Sequence, residues 1–240
     1  MKLLLPLAQL GRLVLRKLWV RLVTFRWNLY AESYEKAVQR AMYPDGELRE
    51  VGKALRECFV ALKNSHLDLE QITILDAGCG TGYLSTAIPI PRYLVGVDIS
   101  KQMIKNLQEK QVGGVSTFDY DELHLQDVNV YLRGTDSIFH IIVASSAVQF
   151  FTPVMLEAFL KNSARNISPF GSLIFSFDVA IDKARLNSKG FWEYPISQVD
   201  ALASKYFDHV EIQILEFSRI ERGKSVLSAV ASLNLPNLHK

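Results

Sequence analysis

Cysteine is scarce: Cys58 and Cys79 are the two in 240 residues. So few cannot build a disulfide framework, and they point to a reduced compartment. A cysteine-rich zinc site is excluded as well. The five histidines, His66, His124, His140, His209 and His239, form no HExxH or HxxxH pair, so no metal site is expected. An excess charge of one sign is also missing, because 27 Lys and Arg against 25 Asp and Glu leave +2. That balance argues against a dedicated nucleic-acid binder. Glycine and proline occur in ordinary numbers, 13 and 8, which excludes collagen-like and low-complexity chains. Apolar material is plentiful: 49 % of the chain is hydrophobic, enough for a sizeable core and too much for a disordered chain. The length suits one α/β domain with or without an added segment.

Acids are absent from residues 1–31, which carry Lys2, Arg12, Arg16, Lys17, Arg21 and Arg26. This arm is therefore +6, and the remainder of a chain of net +2 is −4. Leu3, Leu7, Leu10, Val14, Leu18, Leu22 and Phe25 recur at spacings of three and four and mark one helical face. The face is not clean, since Trp19, Val20 and Val23 fall outside it and Arg21 falls among its members. The opening apolar run is short and has no small-residue cleavage site before Arg12, so neither a secretory signal nor a membrane span is expected. Three readings stay open: a basic helix packed on its own domain or a partner, a membrane-surface helix, and a mitochondrial presequence that lacks serine. The arm is expected to act in docking and to lie apart from the chemistry. Ser137 to Leu156 also lacks charged residues, but His140, Ser145, Ser146, Gln149 and Pro153 interrupt it, and a buried strand plus a loop is expected there.

From Tyr30 to Leu62 the pattern is helical, broken by the turn signal Tyr43-Pro44-Asp45-Gly46. Expected strands are Ile72–Leu75, Tyr93–Val97, Glu122–Gln126, Ile138–Val143, Leu173–Phe177, Val210–Phe217 and Val226–Ser232. Expected helices start near Tyr83, after the N-cap Ser100, at Pro153 and at Val199. This alternation implies an α/β fold: a Rossmann-like doubly wound sheet, mostly parallel, with helices on both faces and extra N-terminal helices. The last two strands share a short turn at Arg222-Gly223 and should pair antiparallel. The expected division is a basic arm over 1–28 and one domain over 29–240, with a helical cap at 29–69 and the core sheet at 70–235.

In such sheets ligands bind beyond the carboxyl ends of the strands. The turn Asp76-Ala77-Gly78-Cys79-Gly80-Thr81-Gly82 falls there. A dinucleotide fingerprint would need its third glycine at position 83, which is Tyr83. Asp98, 22 residues after Asp76 at the end of the next strand, can accept both hydroxyls of a ribose. Asp127, at the end of the third strand, can accept from an exocyclic amine, although it also suits a helix cap.

Asp76 to Gly82, followed by Gly96-Val97-Asp98-Ile99-Ser100, resembles the class I S-adenosylmethionine-dependent methyltransferases over about residues 70 to 180. Tyr120-Asp121-Glu122-Leu123 and Ile220 to Val226 resemble a narrower group of small methyltransferases often fused to TPR repeats, although no such repeat is visible. Ser146 to Phe151 is similar to the biotin-pathway enzymes that methylate malonyl-carrier protein. The resemblance implies S-adenosylmethionine (SAM) as cofactor and S-adenosylhomocysteine (SAH) as product. It also implies roles: Gly78, Cys79 and Gly80 beside the methionine part, Asp76 toward its ammonium, and Asp98 on the ribose. Ile99 and Met103 would lie against the adenine, with Asp127 and Val128 at its edge. Ser145 and Ser146 would border the methyl group, and Tyr30 and Tyr34 would close over the cofactor, though plain helix packing would suit both equally. Cys79 reads as a small turn residue without redox role, His140 as a core histidine, and Trp192, Tyr194 and Pro195 as packing. No catalytic base is assigned.

The expected partner is a small-molecule or carrier-bound methyl acceptor, with no nucleic acid and with membrane-surface or protein contact through residues 1–27. The expected location is the cytoplasm, with peripheral membrane association or mitochondrial targeting as alternatives. Rival functions are a non-catalytic interaction module, a membrane-associated lipid or quinone methyltransferase, and an NAD-dependent oxidoreductase, which Tyr83 disfavours.

Overall fold

The computed structural model describes residues 7–41, 47–65, 67–68, 71–88, 93–113, 119–215, 219–221, 224–226 and 228–234. The turns expected at 43–46 and 222–223, Phe217, and the side chains of Leu3, Leu7, Leu10, Arg12 and Val14 lie outside what is described. Two helices lead: α1 (Leu7–Ala41) and α2 (Glu47–Asn64). Then come β1 (Thr73–Ala77), a short 3-10 helix (Tyr83–Ala87), β2 (Tyr93–Asp98), α3 (Lys101–Val112), β3 (Glu122–Leu125) and α4 (Val128–Gly134). β4 (Phe139–Ala144), a 3-10 turn (Val148–Phe150), α5 (Pro153–Asn166) and β5 (Ile167–Val179) follow. The chain continues through β6 (Arg185–Leu186), β7 (Trp192–Tyr194), α6 (Ile196–Ala203) and β8 (His209–Ile214). β9 (Arg219–Glu221) and β10 (Lys224–Val226) pair with each other in a separate two-stranded sheet, and β11 (Ser228–Asn234) returns to the main sheet.

The main sheet has the order β3-β2-β1-β4-β5-β11-β8. Its first five strands are parallel, and β11 runs antiparallel between β5 and β8. The expected Rossmann-like architecture is therefore present, antiparallel portion included. The central strands β1, β2, β4 and β5 are buried on both faces, and strand periodicity sorts their side chains. Leu75, Ala77, Val95, Val97, Ile142 and Ala144 pack with Tyr131 of α4, Leu156 and Phe159 of α5 and Val199 of α6. The alternate residues Ile74, Leu94, Ile141 and Val143 pack with Leu55 and Phe59 of α2 and Ile104 and Leu107 of α3.

Local chemistry sets the helix starts. Ser100, Asp127 and Thr152 each cap a helix by accepting the backbone N–H three residues on, at Met103, Val130 and Met155. Pro153 occupies the first turn of α5, where its missing N–H costs nothing. Three expectations need correcting. β5 starts at Ile167 rather than Leu173, because its first residue already pairs with Phe139. α6 starts at Ile196, three residues before Val199, directly after Pro195. The arm is not separate from the helical cap, since α1 passes through position 28 without a break.

Candidate active site

β1 delivers Asp76 to the carboxyl edge of the sheet, and the glycine turn follows. The N–H groups of Gly78 and Cys79 both donate to Val97 O, at 2.7 and 3.1 Å, which bolts the turn to β2. Gly78 has φ +87°, and a Cβ on it would lie 2.7 Å from that of Ala147. The position therefore excludes side chains by both conformation and space. Cys79 is buried, and burial pushes its thiol well above its ordinary range, so it is unreactive.

Asp98 is held by the same turn. Its Oδ2 accepts from Gly80 N at 2.9 Å and its Oδ1 from Ser100 N at 2.7 Å. Burial of the carboxyl raises its pKa, while N–H groups of Ser100, Gly80 and Ile99 pull it down. The residue keeps a partly exposed edge. Asp76 is buried, and its Oδ2 accepts from Tyr120 Oη at 2.5 Å. Burial pushes Asp76 up to about 7; the Tyr120 hydrogen bond opposes the shift and repulsion from Asp98 adds to it. Tyr120 reaches this carboxyl across Gly96, the register partner of Asp76 on β2. A Cβ on Gly96 would lie 2.7 Å from Leu123 and 2.8 Å from the Tyr120 ring.

The remaining expected residues surround this centre. Ile99 is partly exposed, and Met103 is buried in the first turn of α3. Asp127 lies beyond β3, where its Oδ1 accepts from Val130 N at 3.0 Å and stands 3.9 Å from Arg16 of α1. Val128, the first residue of α4, is buried. Ser145 and Ser146 follow β4. Ser146 has φ +53°, the single non-glycine residue with positive φ among the described residues, and its N–H donates to Ser176 Oγ at 2.8 Å. Tyr34 lies over the glycine turn, its ring 3.8 Å from where a Gly80 Cβ would stand. Tyr30 is more exposed and meets Tyr34 and Trp27 edge-on.

The arm does not stand apart from the candidate site, contrary to expectation. Asn28 Oδ1 of α1 accepts from Ser100 Oγ at 2.8 Å and from Gln102 N at 3.2 Å. Trp19 Nε1 donates to Phe150 O at 2.8 Å, and Trp27 packs on the Phe150 ring at 4.9 Å. Phe150 also meets Phe191, over which the Arg26 guanidinium sits at 4.5 Å. α1 thus lies across the carboxyl ends of the strands. Sequence reasoning gave no role to Tyr120, Asn28, Trp27 or Phe150. Tyr120 stood in a run that had been singled out, whereas Asn28 carried no signal.

Two other residues find structural roles. His140 is at the amino end of β4, opposite the site, and its Nδ1 accepts from Thr73 N at 3.1 Å. Burial lowers its pKa. Tyr194 is fully buried and donates its hydroxyl to Phe151 O, with Trp192 stacked on its ring.

Residues 74–171 match the sequence family described as a methyltransferase domain. The malonyl-[acyl-carrier protein] O-methyltransferase of Priestia megaterium (strain DSM 319 / IMG 1521) is 27 % identical over 159 residues, covering 65 % of this chain. The chain spans about half, 51 %, of that relative's length. Magnesium protoporphyrin IX methyltransferase from Synechocystis PCC 6803, solved with bound SAM, superposes with a TM-score of 0.56 at 16 % identity, covering 90 % of this chain and 97 % of that one. A TehB-like SAM-dependent methyltransferase from Corynebacterium glutamicum superposes with a TM-score of 0.54 at 18 % identity, covering 88 % and 98 %. By strand order, glycine turn and matched segment, the core of this chain has the Rossmann-like fold of the class I SAM-dependent methyltransferases, and its residues 74–171 are similar to a methyltransferase domain.

Proposed function

We propose that this protein transfers the methyl group of SAM to a small-molecule or carrier-bound acceptor, and that the methylated group is a carboxylate. The observation that carries this reading is the Asp98 carboxylate, fixed by Gly80 and Ser100 N–H groups at the end of β2 directly beside the glycine turn. The residues present fit the cofactor. Thr81 Oγ1, in the same turn, is buried without a hydrogen-bond partner among the described residues.

In this reading Asp98 takes the ribose hydroxyls, and Asp76 takes the ammonium of the methionine part, beside Gly78, Cys79 and Gly80. Ile99 and Met103 face the adenine, with Asp127 and Val128 at its edge. Ser145 borders the reacting centre, and Tyr30 and Tyr34 close it from α1. Bound there, SAM supplies a methyl carbon activated by its sulfonium. The protein's own task is to align donor and acceptor and to exclude water, and orientation is worth on the order of 7–11 kcal/mol.

Residues beyond β4 and on α1 support this acceptor class. His140 faces the far end of β4 and its Nδ1 is engaged, so it offers no base here. A carboxylate oxygen is already anionic and needs no base. Trp27, Phe150 and Phe191 form an aromatic wall beside the site. Arg26, at that wall, uses one N–H on Lys189 O and keeps further donors for an acid. The Priestia relative, an O-methyltransferase acting on a malonyl-carrier substrate by its name, supports the same class. The narrower likeness carried by Tyr120 to Leu123 belongs to this reading too.

Calorimetry tests it. SAH is expected to bind with a dissociation constant of tens of micromolar (about −6 kcal/mol) or tighter, and NAD not to bind. Asp98→Ala should weaken SAH at least tenfold, since a buried acceptor of two hydroxyls is lost (roughly 1.5–3 kcal/mol). Binding of NAD in place of SAH, or unchanged SAH affinity in the variant, would sink the assignment.

A further inference from the structure

Leu15, Leu18, Leu22, Phe25 and Leu29 of α1 are all 55–67 % exposed. Their spacing of three, four, three and four puts them on one face of the helix, as a stripe about 21 Å long. The opposite side of the same helix is the one that holds Trp19, Trp27 and Asn28 against the site. α1 therefore has two apolar faces, and the body of the protein covers one. A contiguous apolar stripe of this kind on a surface helix marks an interaction site.

Charge selects the occupant. The first 31 residues carry six basic side chains and no acid. Lys17 and Arg21, one turn apart, are both exposed along a flank of the stripe. A helical segment with leucines on one face, cations beside them and no acid before Glu32 suits the boundary between anionic headgroups and acyl chains. There the leucines enter the apolar layer while the lysine and arginine reach the phosphates. Among the described residues no helix is long and apolar enough to cross a membrane, so α1 would lie on the surface. We propose that the outer face of α1 seats this protein on an anionic lipid surface. Seating it there brings the rim of the candidate site to the lipid, because that rim is made by the inner face of the same helix.

The full chain should be sedimented with phosphatidylcholine vesicles containing phosphatidylglycerol, and with phosphatidylcholine vesicles alone. Binding to the anionic vesicles is expected, at least tenfold weaker on the neutral ones. Leu18→Glu/Leu22→Glu should lose at least tenfold, and Lys17→Glu/Arg21→Glu several-fold. All four residues are exposed and outside the site, so SAH affinity should be the same in every variant. Equal SAH affinity also separates this inference from the proposed activity. Absence of binding to anionic vesicles overturns the proposal, as does binding by both double variants at wild-type strength. It also fails if the wild type forms a dimer that Leu18→Glu/Leu22→Glu dissociates while neither binds vesicles, because the stripe is then an interface between copies.

Discussion

Asp76 is a carboxyl group whose environment opposes its own charge. Burial and the neighbouring Asp98 push its pKa up to about 7, and the Tyr120 hydroxyl alone works the other way. Its folded pKa lies above its unfolded value, so the native state favours the proton. In the cofactor-free protein, stability should fall as pH rises from about 4 to 7, and Asp76→Asn should flatten that slope in chemical denaturation. Binding of a cationic ammonium requires the ionised acid, so SAH affinity should move the opposite way. It should rise roughly tenfold between pH 6 and 8, as one ionisation with a pKa near 7 allows, and level off above. Calorimetry across that range checks this; a flat profile means that Asp76 does not meet the ammonium. Tyr120→Phe removes the one hydrogen bond that favours the charged form and should shift the rise to higher pH. Gly96→Ala should act in the same direction by displacing the Tyr120 ring, with an added stability loss of about 1–3 kcal/mol from overpacking. Gly96 was legible as part of the Gly-Val-Asp motif. The reason for it, room for a tyrosine from the segment before β3, depends on strand register that no local pattern carries.

Among the elements, α1 departs most from its sequence reading, whereas the strands depart least. β1, β2, β3 and β4 fall within two residues of expectation; β1, β2 and β4 are short, largely apolar runs closed by a polar or glycine signal, and β3 is an alternating segment closed by Asp127. For α1 the apolar stripe is present, but a different face of the helix contacts the domain. Leu18, Leu22 and Phe25 point to solvent, and the residues read as impurities, Trp19 and Val20, pack against the core. Spacing cannot decide between two apolar faces; the decision comes from polar groups across the interface, here Asn28 with Ser100 and Gln102. Ser100 is fully buried and caps α3, so Asn28 braces the very turn that fixes Asp98. Asn28→Ala leaves a buried hydroxyl and an N–H without their acceptor and should cost about 1–3 kcal/mol in thermal or chemical unfolding. SAH affinity should fall as well, because α1 then holds the Ser100 turn less firmly. If stability and affinity both stay at wild-type values, the helix does not brace the site through this contact.

At the scale of the molecule, the site exists because one sheet separates two cores. Ile142 of β4 packs with the α4, α5 and α6 layer, and Ile104 of α3 packs on the far side with α2. Neighbouring residues on one strand serve different cores, so the strand ends, and with them Asp76 and Asp98, are positioned by both layers at once. A one-residue slip in β4 would exchange Ile141 and Val143 for Ile142 and Ala144 on each face and destroy both. Single-methyl changes probe the separation without unfolding the protein. Ile104→Val and Ile142→Val should each cost about 0.5–1.5 kcal/mol in chemical denaturation. Because the two side chains belong to different clusters, the double variant should show the sum within about 0.5 kcal/mol. A coupling energy well above that would mean that strain crosses the sheet, so that the two layers respond as one body. SAH affinity then distinguishes the cases further. If the layers act independently, each substitution leaves the strand ends in place and affinity stays at the wild-type value. If they act as one, loss on either face should reach the Asp98 turn and weaken binding in both single variants.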